Sequence, residues 1–293
     1  MSSTSIVTLA LVSAILLTGF SREVHSAKWS HHDLDAWPKL CQYGEKQSPI
    51  DLDESVAIDL SEEPFKLFGY SSDYETVLMN NGHSVVVNLV DDNAKPIMKG
   101  GGLNDSYTLH HIHFHWGSEH TFNGERLPLE AHFVHYATRF KSLEAAVQEE
   151  NGLAVLGTMF KLSPDDVEPI EFLTEIMEQI ADSPNVEVQI NGTIRPRDYL
   201  PCDLAGFFRY SGSLTTPGCN EVVVWTVFTN VLTLSKQQAK YFELIDLDTF
   251  RPVQKLNDRQ LYLKRSPINS AQTQSAPIIL TLAGIILSSI YSF

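Results

Sequence analysis

The chain has 293 residues, room for one large domain or two small ones. Its 43% hydrophobic and 19% charged content is that of a packed globular protein. Acidic residues outnumber Lys and Arg 36 to 21, for a formal net charge of -15, which argues against nucleic acid as a partner and is most simply a device for solubility.

Residues 6–20 form an apolar run too short to cross a bilayer, and Val24-His25-Ser26 offers small residues for cleavage near Ser26. Residues 1–26 are therefore expected to be a secretory signal peptide, although residues 1–5 lack the usual basic residue. From Trp29 to about Leu263 no repeat or low-complexity linker interrupts the chain. Stretches 84–90, 107–116, 129–136, 153–160, 186–190 and 221–228 are rich in β-branched and aromatic residues and bounded by Gly, Pro, Asn or Asp, so each predicts a strand. Residues 168–181 carry Ile170, Leu173, Ile176, Met177 and Ile180 at helical spacing. Ser235-Lys236-Gln237-Gln238 is a capping box that opens a short helix through Phe242. Many strands with few helices predict a mainly β protein with peripheral helices, one domain over residues 27–265 around a large, mostly antiparallel central sheet.

The C-terminal stretch 277–293 is apolar and uncharged. It follows a small-residue run, Asn269-Ser270-Ala271, and a short polar spacer at 272–275. This is the pattern of a glycosylphosphatidylinositol signal, with Asn269 or Ser270 as attachment site and residues 266–293 as the processed segment. A single transmembrane helix is the rival, but no basic stop sequence follows and the run is short. The implied address is the secretory pathway and the outer face of the plasma membrane. Asn104-Asp105-Ser106 and Asn191-Gly192-Thr193 are N-glycosylation sequons that suit such a route. Three cysteines, Cys41, Cys202 and Cys219, predict one disulfide and one leftover thiol, with three pairings open.

The densest chemical signal is histidine. His110, His111, His113 and His115 fall within residues 110–116, His120 follows, and His132 and His135 lie on the next strong strand. Imidazole is the commonest protein metal ligand. Alternate residues of a strand share a face, so His111, His113 and His115 point one way and His110, Ile112 and Phe114 the other. Glu130 shares a face with His132 and can fix its tautomer. A lone histidine is more often a surface or core residue, but so many in alternating register mark a zinc site. With no thiolate in the cluster, three neutral imidazoles would leave a fourth position open, the catalytic kind of site. Copper or nickel could take such nitrogens, but zinc suits hydration or hydrolysis better. Spacing alone leaves His111 on the ligand face as well.

His113-Phe114-His115-Trp116-Gly117, Ser118-Glu119-His120-Thr121 and Glu130-Ala131-His132-Phe133-Val134-His135 resemble the signature of the α-class carbonic anhydrases, here of the extracellular lipid-anchored type. So do Gln47-Ser48-Pro49-Ile50-Asp51, Asn80-Asn81-Gly82-His83, Ala154-Val155-Leu156-Gly157 and Ser213-Leu214-Thr215-Thr216-Pro217, in family order between Trp29 and Tyr262. The resemblance implies Zn²⁺ as cofactor, His113, His115 and His132 as its ligands, and reversible hydration of carbon dioxide to bicarbonate and a proton by zinc-bound hydroxide. It implies that Glu130 orients His132, and that His111 stands where the family has a glutamine bonded to the first ligand. Thr215 matches the residue that orients the nucleophile, Glu119 the acid that accepts its hydroxyl proton, and His83 the proton shuttle. The substrate wall matches Val134, Val155, Leu214, Thr216, Val223 and Trp225; taken singly, most of these would be read as core. Cys41 and Cys219 match the disulfide of extracellular members, and Cys202 has no counterpart. His110, His120 and His135 are expected to be structural.

Two departures stand out. The segment from Trp29 to Trp37 is shorter than in typical members, and its active-site tyrosine is replaced in that neighbourhood by His31 or His32. Two rivals to an enzyme are a catalytically silent relative used for binding and a structural surface protein. Intact His113, His115 and His132 argue against the first, and Glu119, Thr215 and His83 against the second.

Overall fold

A computed structural model describes residues 29–90, 95–245 and 250–267. The expected signal peptide and the attachment residues Asn269 and Ser270 lie outside them.

Thirteen strands assemble into one mixed sheet, and three short ones, Asp51–Leu52, Thr121–Phe122 and Glu125–Arg126, into a second. The large sheet positions the site. From one edge it runs Glu187–Ile194, Tyr74–Asn80, Val85–Leu89, Tyr107–Trp116, Leu129–Ala137, Leu153–Ser163, Val223–Phe228, Phe207–Gly212, Tyr262–Lys264 and Ile58–Asp59. The two long histidine-bearing strands therefore sit at its centre, where neighbours on both sides hold their backbones. Most pairings in this sheet are antiparallel, as expected. The exceptions are Tyr262–Lys264 with Ile58–Asp59 and the eleven-residue strand Leu153–Ser163, which takes two successive parallel partners, Val223–Phe228 along its first half and Leu232–Ser235 along its second. The strand expected at 221–228 begins at Val223, and that expected at 186–190 runs on as Glu187–Ile194 through a register shift between Gln189 and Thr193.

Alternation divides the sheet into two apolar faces. Ile112, Phe114, Ala131 and Phe133 point into one core with Leu78, Val85 and Leu156. The helix Glu168–Ala181 closes this side: Ile170, Leu173, Ile176, Met177 and Ile180 are all buried, as their spacing predicts. Burial of each such side chain contributes ~1.5–3 kcal/mol. The helix Lys236–Phe242 begins at the expected capping box, with Gln238 N donating to Ser235 Oγ at 3.1 Å and Ser235 N to Gln238 Oε1 at 3.1 Å. Gln238 Nε2 also donates to Val167 O at 2.8 Å, which ties this helix to the start of the longer one. The other face carries Val134, Val155 and Trp225 in a second cluster, and it is this face that holds the polar site.

Cys41 and Cys219 form a disulfide with a Cα–Cα distance of 5.2 Å, packed beside Trp37. Cys202 is an exposed free thiol. Asn104 and Asn191, the two sequon residues, are both exposed. No helix among the described residues is long and apolar enough to cross a membrane.

Candidate metal centre

Strand register decides the geometry. Tyr107–Trp116 and Leu129–Ala137 run antiparallel with His132 opposite His113 and Glu130 opposite His115. Directly opposed residues share a face and bring their side chains within reach of each other. The ligand nitrogens of His113, His115 and His132 lie within 4.8 Å of one another, and His132 Nδ1 is 3.3 Å from His113 Nε2. His115 and His132 are buried and His113 is partly exposed, so the cluster faces a cavity rather than open solvent.

The rings of His132 and His113 are each held by a second group. Glu130 Oε1 accepts from His132 Nε2 at 2.9 Å, which leaves Nδ1 as the lone-pair nitrogen turned toward His113. The same oxygen is 2.7 Å from His120 Nδ1, and Oε2 accepts from His120 N at 2.9 Å. His120 Nε2 lies 2.6 Å from the Tyr210 hydroxyl, which in turn donates to Ser48 Oγ at 2.9 Å. Burial raises the Glu130 carboxyl, but the charges and hydrogen bonds of His120 and His132 outweigh it and hold the group well below the usual carboxylate range. Glu130 is thus an anion inside the protein, aimed at a ligand. Gly157 lies opposite His132 on the next strand, where an added Cβ would sit 3.0 Å from Glu130 Oε1 and 3.2 Å from Val227.

His111 is not in the ligand set. Its Nε2 is 3.0 Å from His113 Nδ1, and its Nδ1 is 2.7 Å from His110 Nδ1. Opposite Val134 in the register, it is one alternate position too far along the strand to meet His132. Burial and the neighbouring histidines push it down to about 3, so it is neutral and can accept a hydrogen bond from the first ring. Burial likewise pushes His113 well below 6.5, which favours the unprotonated imidazole that a metal requires. The donor set suits zinc: three imidazole nitrogens and an ionised carboxylate behind one of them. His135 belongs to the core, fixed by the Tyr70 hydroxyl at Nε2 and by Ala154 O at 3.1 Å from Nδ1, and burial pushes it down to about 3.

A cavity of about 300 Å³ opens onto the three histidines. Val134, Val155, Leu214 and Trp225 give it an apolar wall, and Thr215 and Thr216 line it too. Val223 is not among the lining residues: it shares the apolar cluster of Val134, Val155 and Trp225 but lies opposite Leu153, one alternate position along the strand from Trp225. Trp225 is anchored by Nε1 donating to Ser213 O at 3.0 Å. His83 lines the mouth and is stacked on Trp29 with ring centroids 3.6 Å apart, following a turn in which Asn81 Oδ1 accepts from the backbone N–H of His83 and Ser84. Glu119 is wholly buried; Oε1 accepts from Arg251 N at 2.9 Å, while Oε2 has no hydrogen-bond partner and lies 3.5 Å from His115 Nε2. The Thr215 hydroxyl is therefore not bonded to Glu119 in this structure.

Of the two histidines expected near the missing tyrosine, His31 lines the cavity near Trp29 and His83. Other lining residues had no sequence signal: Glu144 and Val147 reach it from the short helix after Ser142 and its C-terminal cap. The Tyr210–Ser48 end of the network joins residues 162 apart, and Arg251 bonds Gln47 Oε1 across 204. No local pattern announces such pairs.

Residues 25–265 match the family described as eukaryotic-type carbonic anhydrase. Carbonic anhydrase 4 of Oryctolagus cuniculus is 33% identical over 262 residues, 82% of each chain. Carbonic anhydrase 12 of Homo sapiens is 32% identical over 296 residues, 89% of this chain and 80% of its own. Alpha carbonic anhydrase 3 of Arabidopsis thaliana is 35% identical over 271 residues, 87% of this chain and 89% of its own.

Proposed function

We propose, from the premise that this chain belongs to the eukaryotic-type carbonic anhydrase family, that it is an active zinc enzyme interconverting carbon dioxide and bicarbonate. The observation that carries this is the convergence of His113, His115 and His132 below an apolar wall. Zinc, when bound, supplies the Lewis acidity that brings water to a pKa of about 7 (carbonic anhydrase is itself the standard case of this effect).

The chain's residues do the rest. His113, His115 and His132 would hold the metal through uncharged rings that leave its charge intact, and Glu130 keeps His132 in the tautomer whose Nδ1 is free to ligate. Carbon dioxide has almost no polar handle, so Val134, Val155, Leu214 and Trp225 hold it by apolar contact. The Thr215 hydroxyl orients the attacking oxygen by accepting its hydrogen bond, with its own O–H turned to donate to Glu119, whose unpartnered Oε2 is the available acceptor. Hydration releases a proton, and His83 at the cavity mouth relays it to buffer, because imidazole titrates near neutral pH.

The enzyme is further proposed to be secreted after loss of residues 1–26, to act through a domain at 27–265, to carry glycans on Asn104 and Asn191, and to be held at the outer cell surface by a lipid on Asn269 or Ser270. Release from cells by a phosphatidylinositol-specific phospholipase tests the anchor. Stopped-flow hydration by Thr215→Ala tests the chemistry: turnover falls by at least about tenfold with zinc still bound. Parental turnover in that variant would exclude the role given to Thr215. A silent binding protein is the rival, and its signature is bound zinc with no hydration.

A further inference from the structure

A second cavity, of about 900 Å³, shares no lining residue with the one above the histidines. Arg209 lines it. On the strand Phe207–Gly212, Arg209 and Tyr210 point to opposite faces. Tyr210 bonds His120 and stacks on Trp225 on the metal side, so Arg209 projects away from the metal. Its side chain is only 8% exposed. Nε donates to Thr226 Oγ1 at 3.1 Å and Nη2 to Gly101 O at 2.8 Å. Among the described residues, Nη1 has no hydrogen-bond acceptor and no carboxylate lies within ion-pair distance of the guanidinium. Burial pushes its pKa down to about 10; Glu62 acts only at longer range, against that shift.

A buried cation without a counter-ion is costly, and proteins normally pair it or use it. Here two donors are fixed by uncharged partners, which sets the orientation of the fork, the guanidinium carbon lies 5.3 Å and 6.0 Å from the Phe207 and Phe65 ring centroids, and Arg209 itself lines the cavity. Lys46, Lys255 and Arg259 add positive charge to the lining against Glu45 and Asp258, a local excess of base in a chain of net charge -15. Arg259 is itself spent on backbone carbonyls, donating to Leu256 O, Ser211 O and Lys255 O. Lys255 is exposed and free to swing over an occupant.

We propose that this cavity is a binding site for a small oxyanion, a carboxylate or a phosphate, received by Nη1 of Arg209 with Lys255 as the second charge. A planar, oriented guanidinium favours such groups. Calorimetric titration of the full zinc-containing chain with inorganic phosphate and, separately, with succinate tests the site and tells the two chemistries apart. Saturable binding of either probe is expected, weakened at least about tenfold in Arg209→Gln and several-fold in Lys255→Ala. Because Lys255 is exposed, its replacement leaves folding intact and keeps the test decisive even where Arg209→Gln fails to fold. Absence of binding by both probes at millimolar concentration overturns the proposal. So does an affinity unchanged by Lys255→Ala or by a folded Arg209→Gln, which would mark the signal as the metal centre's own.

Discussion

Replacing Glu130 by glutamine probes the group that connects the fold to the metal. The carboxylate is fully buried and accepts three hydrogen bonds, from His120 N, His120 Nδ1 and His132 Nε2. A glutamine carbonyl placed at Oε1 keeps the two ring donors, but its amide then faces His120 N and leaves a donor against a donor. An unsatisfied buried group of this kind costs ~1–3 kcal/mol. For a domain of this size each kcal/mol lowers Tm by roughly 2–4 °C, so a fall on the order of 2–12 °C is expected. The hydrogen bond to His132 also loses its charged partner, which lowers the basicity of the ligating nitrogen. Changes at such supporting groups weaken metal binding about 10–100-fold, equivalent to ~1.4–2.7 kcal/mol. Chelator competition measures the zinc affinity and thermal unfolding the stability. A Glu130→Gln protein that loses stability but binds zinc as tightly as the parent would refute the link between Glu130 and the ligand.

Three further outcomes follow from the same contacts. His135 is neutral when folded, with a pKa pushed from 6.5 to about 3 by burial, so the unfolded chain binds a proton that the folded chain refuses. Stability therefore drops as pH falls from about 6.5 toward 3, by ~1.4 kcal/mol per pH unit for this group. Urea unfolding at pH 7 and pH 5 is expected to show a shallower pH slope in His135→Gln, and an unaltered slope would contradict the assignment. The Cys41–Cys219 disulfide spans 178 residues, for which chain entropy gives about 5 kcal/mol as an upper figure. Cys219→Ser should thus lower Tm clearly; equal Tm values would remove the disulfide as a stabiliser. His83→Ala should turn over slowly in weak buffer and recover with added imidazole, whereas a parental rate in weak buffer would rule out the relay.

Much of this was legible from periodicity. Alternation alone put His113 and His115 on one face and Glu130 beside His132, and the register His132 opposite His113 makes the two strands one site. The buried stripe of the helix Glu168–Ala181 and the capping box at Ser235 were equally local. What alternation could not do was measure position along a strand. His111 shares the face of His113 but pairs with Val134; alternation left it open, the family resemblance set it aside, and the register supplies the physical reason. Val223 shares a face and a packed cluster with Trp225 and Val155 yet does not line the cavity as they do, a difference of position that alternation does not carry. The parallel pairings of Leu153–Ser163 and the Tyr210–Ser48 bond depend on chain crossings that leave no periodic trace.

The most direct test of the central claim is carbon dioxide hydration by stopped flow on metal-free protein titrated with zinc. Activity should be absent without metal and rise linearly to a plateau at one zinc per chain. Stoichiometric zinc binding with no hydration at the plateau would contradict the claim and leave a folded metal-binding protein without the activity proposed for it.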